Sequence, residues 1–219
     1  MDNVKHEDLN ICRECGGMCC KKSGCDYAVG DFNDRSMNGL LEALAVGDKS
    51  IVSMINFETL PNGKFIAVPF LYVRARNCDR DIVDLVSMKT TCSMLTDSGC
   101  SYDYDHRPFG GRNLVPRRRS EGPCRPDVNP LDKIMEWEPY QKQLRKIVKR
   151  FSGKSVEEKI REDVEQLFYD TLAHNFKGVH KREMEDLEGF IPLLVRAYPE
   201  ERVNALNRCR RDGKIYTKK

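Results

Sequence analysis

Residues 12–20 read Cys12-Arg13-Glu14-Cys15-Gly16-Gly17-Met18-Cys19-Cys20, four thiols within nine residues in the arrangement C-x2-C-x3-C-C. The thiolate is the metal-binding form of cysteine and a soft ligand suited to zinc and to iron–sulfur clusters, so this density asks first what is bound. Gly16 and Gly17 can take positive φ and let the backbone curl until several sulfurs converge, which residues with a Cβ resist. The stretch reads as a metal-binding knuckle that staples the domain around it. A C-x-x-C pair can also be a dithiol redox site, but that motif usually opens a helix after a strand, and nothing strand-like precedes Cys12.

Composition narrows the class. The chain has 219 residues, 40% of them hydrophobic, enough for one ample core or two modest ones. The opening MDNVKHEDLN lacks the basic and apolar regions of a secretory signal, and no apolar run approaches the ~20 residues that span a bilayer. A cytoplasmic protein with no membrane partner is expected. In a reducing compartment ten cysteines favour metal ligation or thiol chemistry over a disulfide framework. Residues 1–130 hold nine of the ten, with 17 Lys+Arg against 18 Asp+Glu; residues 131–219 hold only Cys209, with 20 against 16. Neither charge balance resembles a nucleic-acid footprint, so that partner is disfavoured.

These contrasts divide the chain into a cysteine-rich metal-binding domain, 1–130, and a helical C-terminal region, 131–219. In the first, Asp34-Arg35-Ser36 can cap a short helix carrying Met37, Leu40, Leu41, Leu44 and Ala45 on one face and stopping at Gly47. Ile51–Phe57 and Phe65–Val73, joined by Pro61-Asn62-Gly63-Lys64, read as a β-hairpin. Met88–Leu95 and Cys100–Tyr104 read as a second extended pair whose turn brings Cys92 near Cys100. Arg107–Pro130 is too rich in Pro and Gly for regular structure and reads as a loop pinned by the metal site. Beyond it, 139–151 is an amphipathic helix with Tyr140, Leu144, Ile147, Val148 and Phe151 on its apolar stripe. Ser155-Val156-Glu157-Glu158 is a capping box opening a second helix. Two more helical stretches are expected near 180–197 and from Pro199. The fold class is therefore α+β: a small metal-stapled domain with short hairpins and a short helix, then helices.

The candidate ligands are Cys12, Cys15, Cys19, Cys20, Cys92, Cys100 and Cys124, with zinc or an iron–sulfur cluster as the cofactor. Neighbouring residues in extended backbone point to opposite faces, so Cys19 and Cys20 suggest two adjacent sites, or one ligand and one packed thiol. Four sulfurs at one end and Cys92, Cys100 and Cys124 far along the chain imply closure from both groups. Cys25 and Cys78 stay open between ligand and buried thiol, and Cys209 reads as core. Among the histidines only His106 is expected near the site. Arg117-Arg118-Arg119 reads as a solvated loop face. Phosphate-binding, dinucleotide, nucleophile-elbow and zincin motifs have no match in the sequence.

Cys12-x2-Cys15-Gly16-x2-Cys19-Cys20, followed by Cys92-Ser93-Met94-Leu95, Cys100, Arg107-Pro108 and Arg112, resembles the zinc- or iron-chelating cysteine-cluster family over roughly residues 10–125. The resemblance implies a small α+β domain holding zinc or an iron–sulfur cluster, with Arg107 and Arg112 offsetting thiolate charge. It implies no defined biochemical role. Where members usually carry a Cys-Arg pair after Arg-Pro, this chain has Gly111-Arg112, and Cys124-Arg125 is a second such pair further along. A similar domain occurs in flagellin lysine N-methylases, which makes a protein-modifying enzyme an alternative. A metal-stapled module that docks a protein partner is another.

Overall fold

The computed structural model describes residues 6–22, 24–63, 65–78, 80–86, 91–97 and 99–173. The fold is α+β. Helices α1 (Leu9–Cys15) and α2 (Met37–Ala45) precede strands β1 (Lys49–Thr59) and β2 (Phe65–Ala75). Then come β3 (Leu95–Thr96), β4 (Gly99–Cys100), α3 (Phe109–Arg112), β5 (Leu114–Val115), β6 (Arg125–Pro126), α4 (Pro130–Met135), α5 (Gln141–Ser152) and α6 (Val156–Ala173). Contacts divide the chain into Met1–Met54 with Phe70–Lys159, and Ile55–Pro69 with Ile160–Lys219. This differs from the boundary expected at residue 130, because the segment carrying α4 and α5 shares the first unit's core. The helices expected near 180–197 and from Pro199, with Cys209, lie outside the described residues.

The hairpin β1–β2 forms as expected and is longer at both ends, with Gly63 at φ 76° in its turn. Within the first unit its base is widened by irregular chain on either side. Residues 25–27 run antiparallel to β2, with Tyr27 N donating to Val73 O at 2.9 Å and Ala75 N to Cys25 O at 2.8 Å. Residues 82–85 run parallel to β1, with Ile51 N donating to Ile82 O at 2.7 Å and Asp84 N to Ile51 O at 3.0 Å. The successive residues Phe70, Leu71, Tyr72 and Val73 are all buried, so this base is covered on both faces.

Trp137 is fully buried among aromatics, 5.3 Å from the Phe32 ring in an edge-to-face arrangement, and its indole N–H donates to Tyr27 O at 2.9 Å. Four residues on, the Gln141 amide accepts from Leu71 N at 2.9 Å and donates to Leu71 O at 2.7 Å. A primary amide carries one acceptor and donors in one plane, so it completes the pairing of β2 where the 25–27 segment has ended. Leu144, Ile147 and Val148 then bury the apolar stripe of α5.

Local signals explain the helix starts. Ser36 Oγ accepts from Gly39 N at 3.2 Å at the head of α2. Ser155 and Glu158 close the expected capping box at 3.2 and 2.8 Å. Three expectations are corrected. The segment 107–130, expected to lack regular structure, holds the short elements α3, β5 and β6, the last two paired antiparallel. Phe151 is 45% exposed, because it lies in the last turn of α5, which ends at Gly153 in the left-handed conformation. The pairing of Met88–Leu95 with Cys100–Tyr104 shrinks to Leu95↔Cys100 and Thr96↔Gly99. Cys92 and Ser93 spend their N–H groups on Cys20 O and Arg76 O, and Tyr104–His106 coils into a 3-10 turn capped by Asp103. Met88–Thr90 lie outside the described residues.

Replacing a fully buried Trp creates a large cavity and, here, strands the Tyr27 carbonyl. Trp137→Ala is expected to lower unfolding free energy by about 3–5 kcal/mol, read as a fall in urea midpoint followed by circular dichroism.

Candidate metal centre

The knuckle begins as a helix that the cysteine spacing alone does not announce. Asp8 caps α1, its carboxylate accepting from Asn10 N and Ile11 N at 3.0 Å each, and α1 ends at Gly16 with φ 62°. Cys12 and Cys15 therefore sit one turn apart. Gly17 continues at φ 71°, a conformation that side chains with a Cβ rarely adopt, and a Cβ there would lie 2.6 Å from the tip of the Leu95 side chain. The chain then turns, with Lys21 N donating to Gly17 O at 3.0 Å. In this turn the sulfurs of Cys19 and Cys20 come to 3.9 Å from each other. The expected divergence is corrected: it belongs to extended backbone, and residues 17–22 are not extended.

Cys20 carries the knuckle to the distant cysteines through its carbonyl, which accepts from Cys92 N at 2.7 Å. Cys92 is buried and bridges Asn77, whose side-chain oxygen accepts from Gly24 N at 2.7 Å. Gly24 passes so close to the end of β2 that a Cβ would drive into the Ala75 carbonyl. Cys100 enters on β4. Cys124 enters just before β6, a strand held to β5 by Val115↔Arg125 and anchored by Asn113, whose amide pairs with both backbone groups of Val128.

One cavity of about 110 Å³ is lined by Cys12, Cys15, Cys19, Cys20, Cys92, Cys100 and Cys124, together with Cys25. This is far more than the ~10–15 Å³ a single water needs. The nine described cysteines are free thiols. All seven candidate ligands thus share one cavity, while Cys78 lies exposed and outside its lining. Two residues outside the candidate set line it as well: Cys25, which the sequence leaves open between ligand and buried thiol, and His6. Cys25 follows Cys20 by five residues, a reach of at most ~17 Å, and that short tether was the available signal. His6 also faces the cavity, with Nε2 3.0 Å from Asp127 Oδ2. His106, the histidine expected near the site, is instead at the surface, paired with Asp103 at 2.6 Å.

Arg107 is the cation facing the thiols. It donates to Glu7 at 2.6 Å and stands over the Tyr104 ring. Arg112, expected in the same role, is tied to Asp31, whose carboxylate also accepts from Ala28 N and Phe109 N. Burial first, and then the negative charge of neighbouring thiolates, pushes Cys12 and Cys25 above the ordinary thiol range. Burial also raises Cys92 and Cys100, with Arg107 pulling Cys100 back. The hydrogen bond between Cys19 and Cys20 splits that pair, lowering Cys19 and raising Cys20.

The donor set fits a soft metal. Desolvation and like-charge repulsion oppose several thiolates in this cavity, and a bound cation reverses both effects, since a coordinating thiol is deprotonated outright. The 3.9 Å between Cys19 and Cys20 sulfurs is near the ~3.8 Å edge of a tetrahedron with ~2.3 Å Zn–S arms. Among the described residues no three His, Cys, Asp or Glu side chains are gathered tightly enough to chelate one ion as they stand. The thiols line the cavity instead of meeting at a point. No family model matches the chain, and no curated protein or solved structure matches it either. Among the described residues no helix is long and apolar enough to cross a membrane.

The Gly24 passage gives a direct test. Gly24→Ala is expected to cost about 1–3 kcal/mol or more, because two backbones must part. A thermal midpoint equal to that of the parent protein would show that the contact is not limiting.

Proposed function

We propose that this protein is a thiolate-ligated metalloprotein, holding zinc or an iron–sulfur cluster in the cavity between the knuckle and the Cys92–Cys100 ribbon. The observation that carries this reading is the meeting of the four knuckle cysteines with the sequence-distant Cys92, Cys100 and Cys124 on one cavity wall. Packed, inert cysteines scattered through a core have no reason to share a lining. A bound metal supplies positive charge that keeps the thiolates ionised and, for a cluster, an electron-transfer centre.

Cys12, Cys15, Cys19 and Cys20 would hold it from the knuckle, with Cys92, Cys100 and Cys124 from the remainder of the chain. Arg107 offsets residual negative charge from the cavity edge, and Glu7 holds its guanidinium there. Seven or more thiols exceed the four of a single tetrahedral zinc, so a content above one metal atom per chain fits the lining best. The resemblance to the cysteine-cluster family supports the same assignment, because the six cysteines of its pattern, Cys12, Cys15, Cys19, Cys20, Cys92 and Cys100, line this cavity with Arg107, though Arg112 does not. A cytoplasmic location agrees with so many reduced thiols.

Purification without oxygen, elemental analysis and an absorption spectrum test the reading. At least one equivalent of zinc or iron per chain is expected, and a folded chain with less of both would overturn it. A visible band bleached by dithionite marks a cluster; colourless protein with zinc marks a structural site. Because the knuckle is tethered to Cys92 by backbone, Cys92→Ser is expected to lower metal content about as much as Cys15→Ser. Full metal retention in Cys92→Ser would make the knuckle sufficient by itself.

A further inference from the structure

Cys25 lies outside the C-x2-C-x3-C-C spacing, yet its thiol opens on the same cavity. Its backbone is held on both sides. The Cys25 carbonyl accepts from Ala75 N at 2.8 Å, and the next residue, Asp26, bridges Arg74 across the sheet and accepts from Gly110 N at 2.9 Å. Asp26 and Arg74 add a side-chain ion pair at 2.7 Å. The thiol therefore stands on a fixed strand edge, not on a loop free to turn away.

Beside it runs the Gly110-Gly111 backbone. A Cβ at Gly111 would sit 3.5 Å from Cys25 Sγ, and a Cβ at Gly110 would sit 3.5 Å from Cys25 Cβ. A thiol that serves only as packing is normally covered by apolar side chains. Here the neighbouring Gly110-Gly111 backbone presents no side chain of its own to the sulfur, and Cys19, Cys92 and Cys100 line the same cavity.

We propose that Cys25 is a further thiolate ligand of the metal centre, supplied from the strand edge beside β2. This rests on the metal reading above. It enlarges the ligand set from the knuckle and ribbon to the sheet, so that metal loading also fixes the segment 24–27 against β2.

The test uses the full chain, stripped of metal and titrated anaerobically with cobalt(II), whose thiolate charge-transfer absorption scales with the number of bound sulfurs. Cys25→Ala is expected to lose about one thiolate's share of that band and to weaken cobalt binding at least ~10-fold, the lower bound seen even for groups that only support ligands. Cys78→Ala, an exposed thiol outside the cavity lining, is expected to match the parent protein. Parent-like affinity and band intensity in Cys25→Ala would overturn the assignment while leaving the metal reading intact. A parent protein that binds neither cobalt, zinc nor iron would overturn the metal reading and Cys25 with it. If Cys25→Ala fails to fold, the unsubstituted protein decides: alkylation mapped by mass spectrometry should show Cys25 protected by cobalt and released by a chelator. Equal labelling in both states would overturn the proposal.

Discussion

The passage of Gly24 and Cys25 alongside the end of β2 is the constraint on which the rest depends. Gly24 has no side chain because the Ala75 carbonyl occupies the space where one would begin. Asn77 holds this approach with its side-chain oxygen and bridges Cys92 at the same point. Three stretches far apart in sequence thereby cross within a few ångströms of one buried amide. Because Cys20, Cys25 and Cys92 are all within a few residues of that crossing, the backbone brings their sulfurs together before any ligand acts.

Electrostatics makes such a gathering costly unless it is answered. Thiols that ionise raise their neighbours, and burial raises Cys12, Cys25, Cys92 and Cys100, so the cavity disfavours accumulated negative charge. Arg107 answers part of it, and Glu7 consumes part of Arg107 in turn. Arg112 has been diverted to Asp31, where it secures the loop before α3. A site with so many sulfurs and one facing arginine is short of positive charge, which is the physical content of the metal proposal.

Much of the fold was legible in local chemistry. The cap at Asp34-Arg35-Ser36 and the Ser155–Glu158 box each state a boundary through a named hydrogen bond, the Asn-Gly turn states one through the positive φ of Gly63, and all three formed. The α5 stripe was legible through Leu144, Ile147 and Val148 but overran at Phe151, since periodicity does not say where a core stops. Less was legible wherever irregular chain does the pairing. Residues 25–27 and 82–85 extend the hairpin base without strand-like patterning, and Gln141 completes β2 from a helix, a role that no propensity records. At the site, thiol density singled out seven of the eight cavity cysteines. Position along the chain misled for histidine: His106 is close in sequence to the cysteines yet at the surface, whereas His6 reaches the cavity. The curl after Cys15 was legible in Gly16 and Gly17, which both take positive φ, whereas the Leu95 side chain that lies beside Gly17 was not.

Trp137 is the single tryptophan of the chain. Its indole nitrogen bonds to the carbonyl of Tyr27, two residues after Cys25, so the ring is wired to the strand that borders the thiol cavity. Its emission is thus an intrinsic optical probe with one source. Being fully buried, it should fluoresce at the blue end of the tryptophan range, and any chromophoric centre formed among the sulfurs would quench it by energy transfer. The protein carries its own reporter, one that can follow loading of the cavity in real time without a dye.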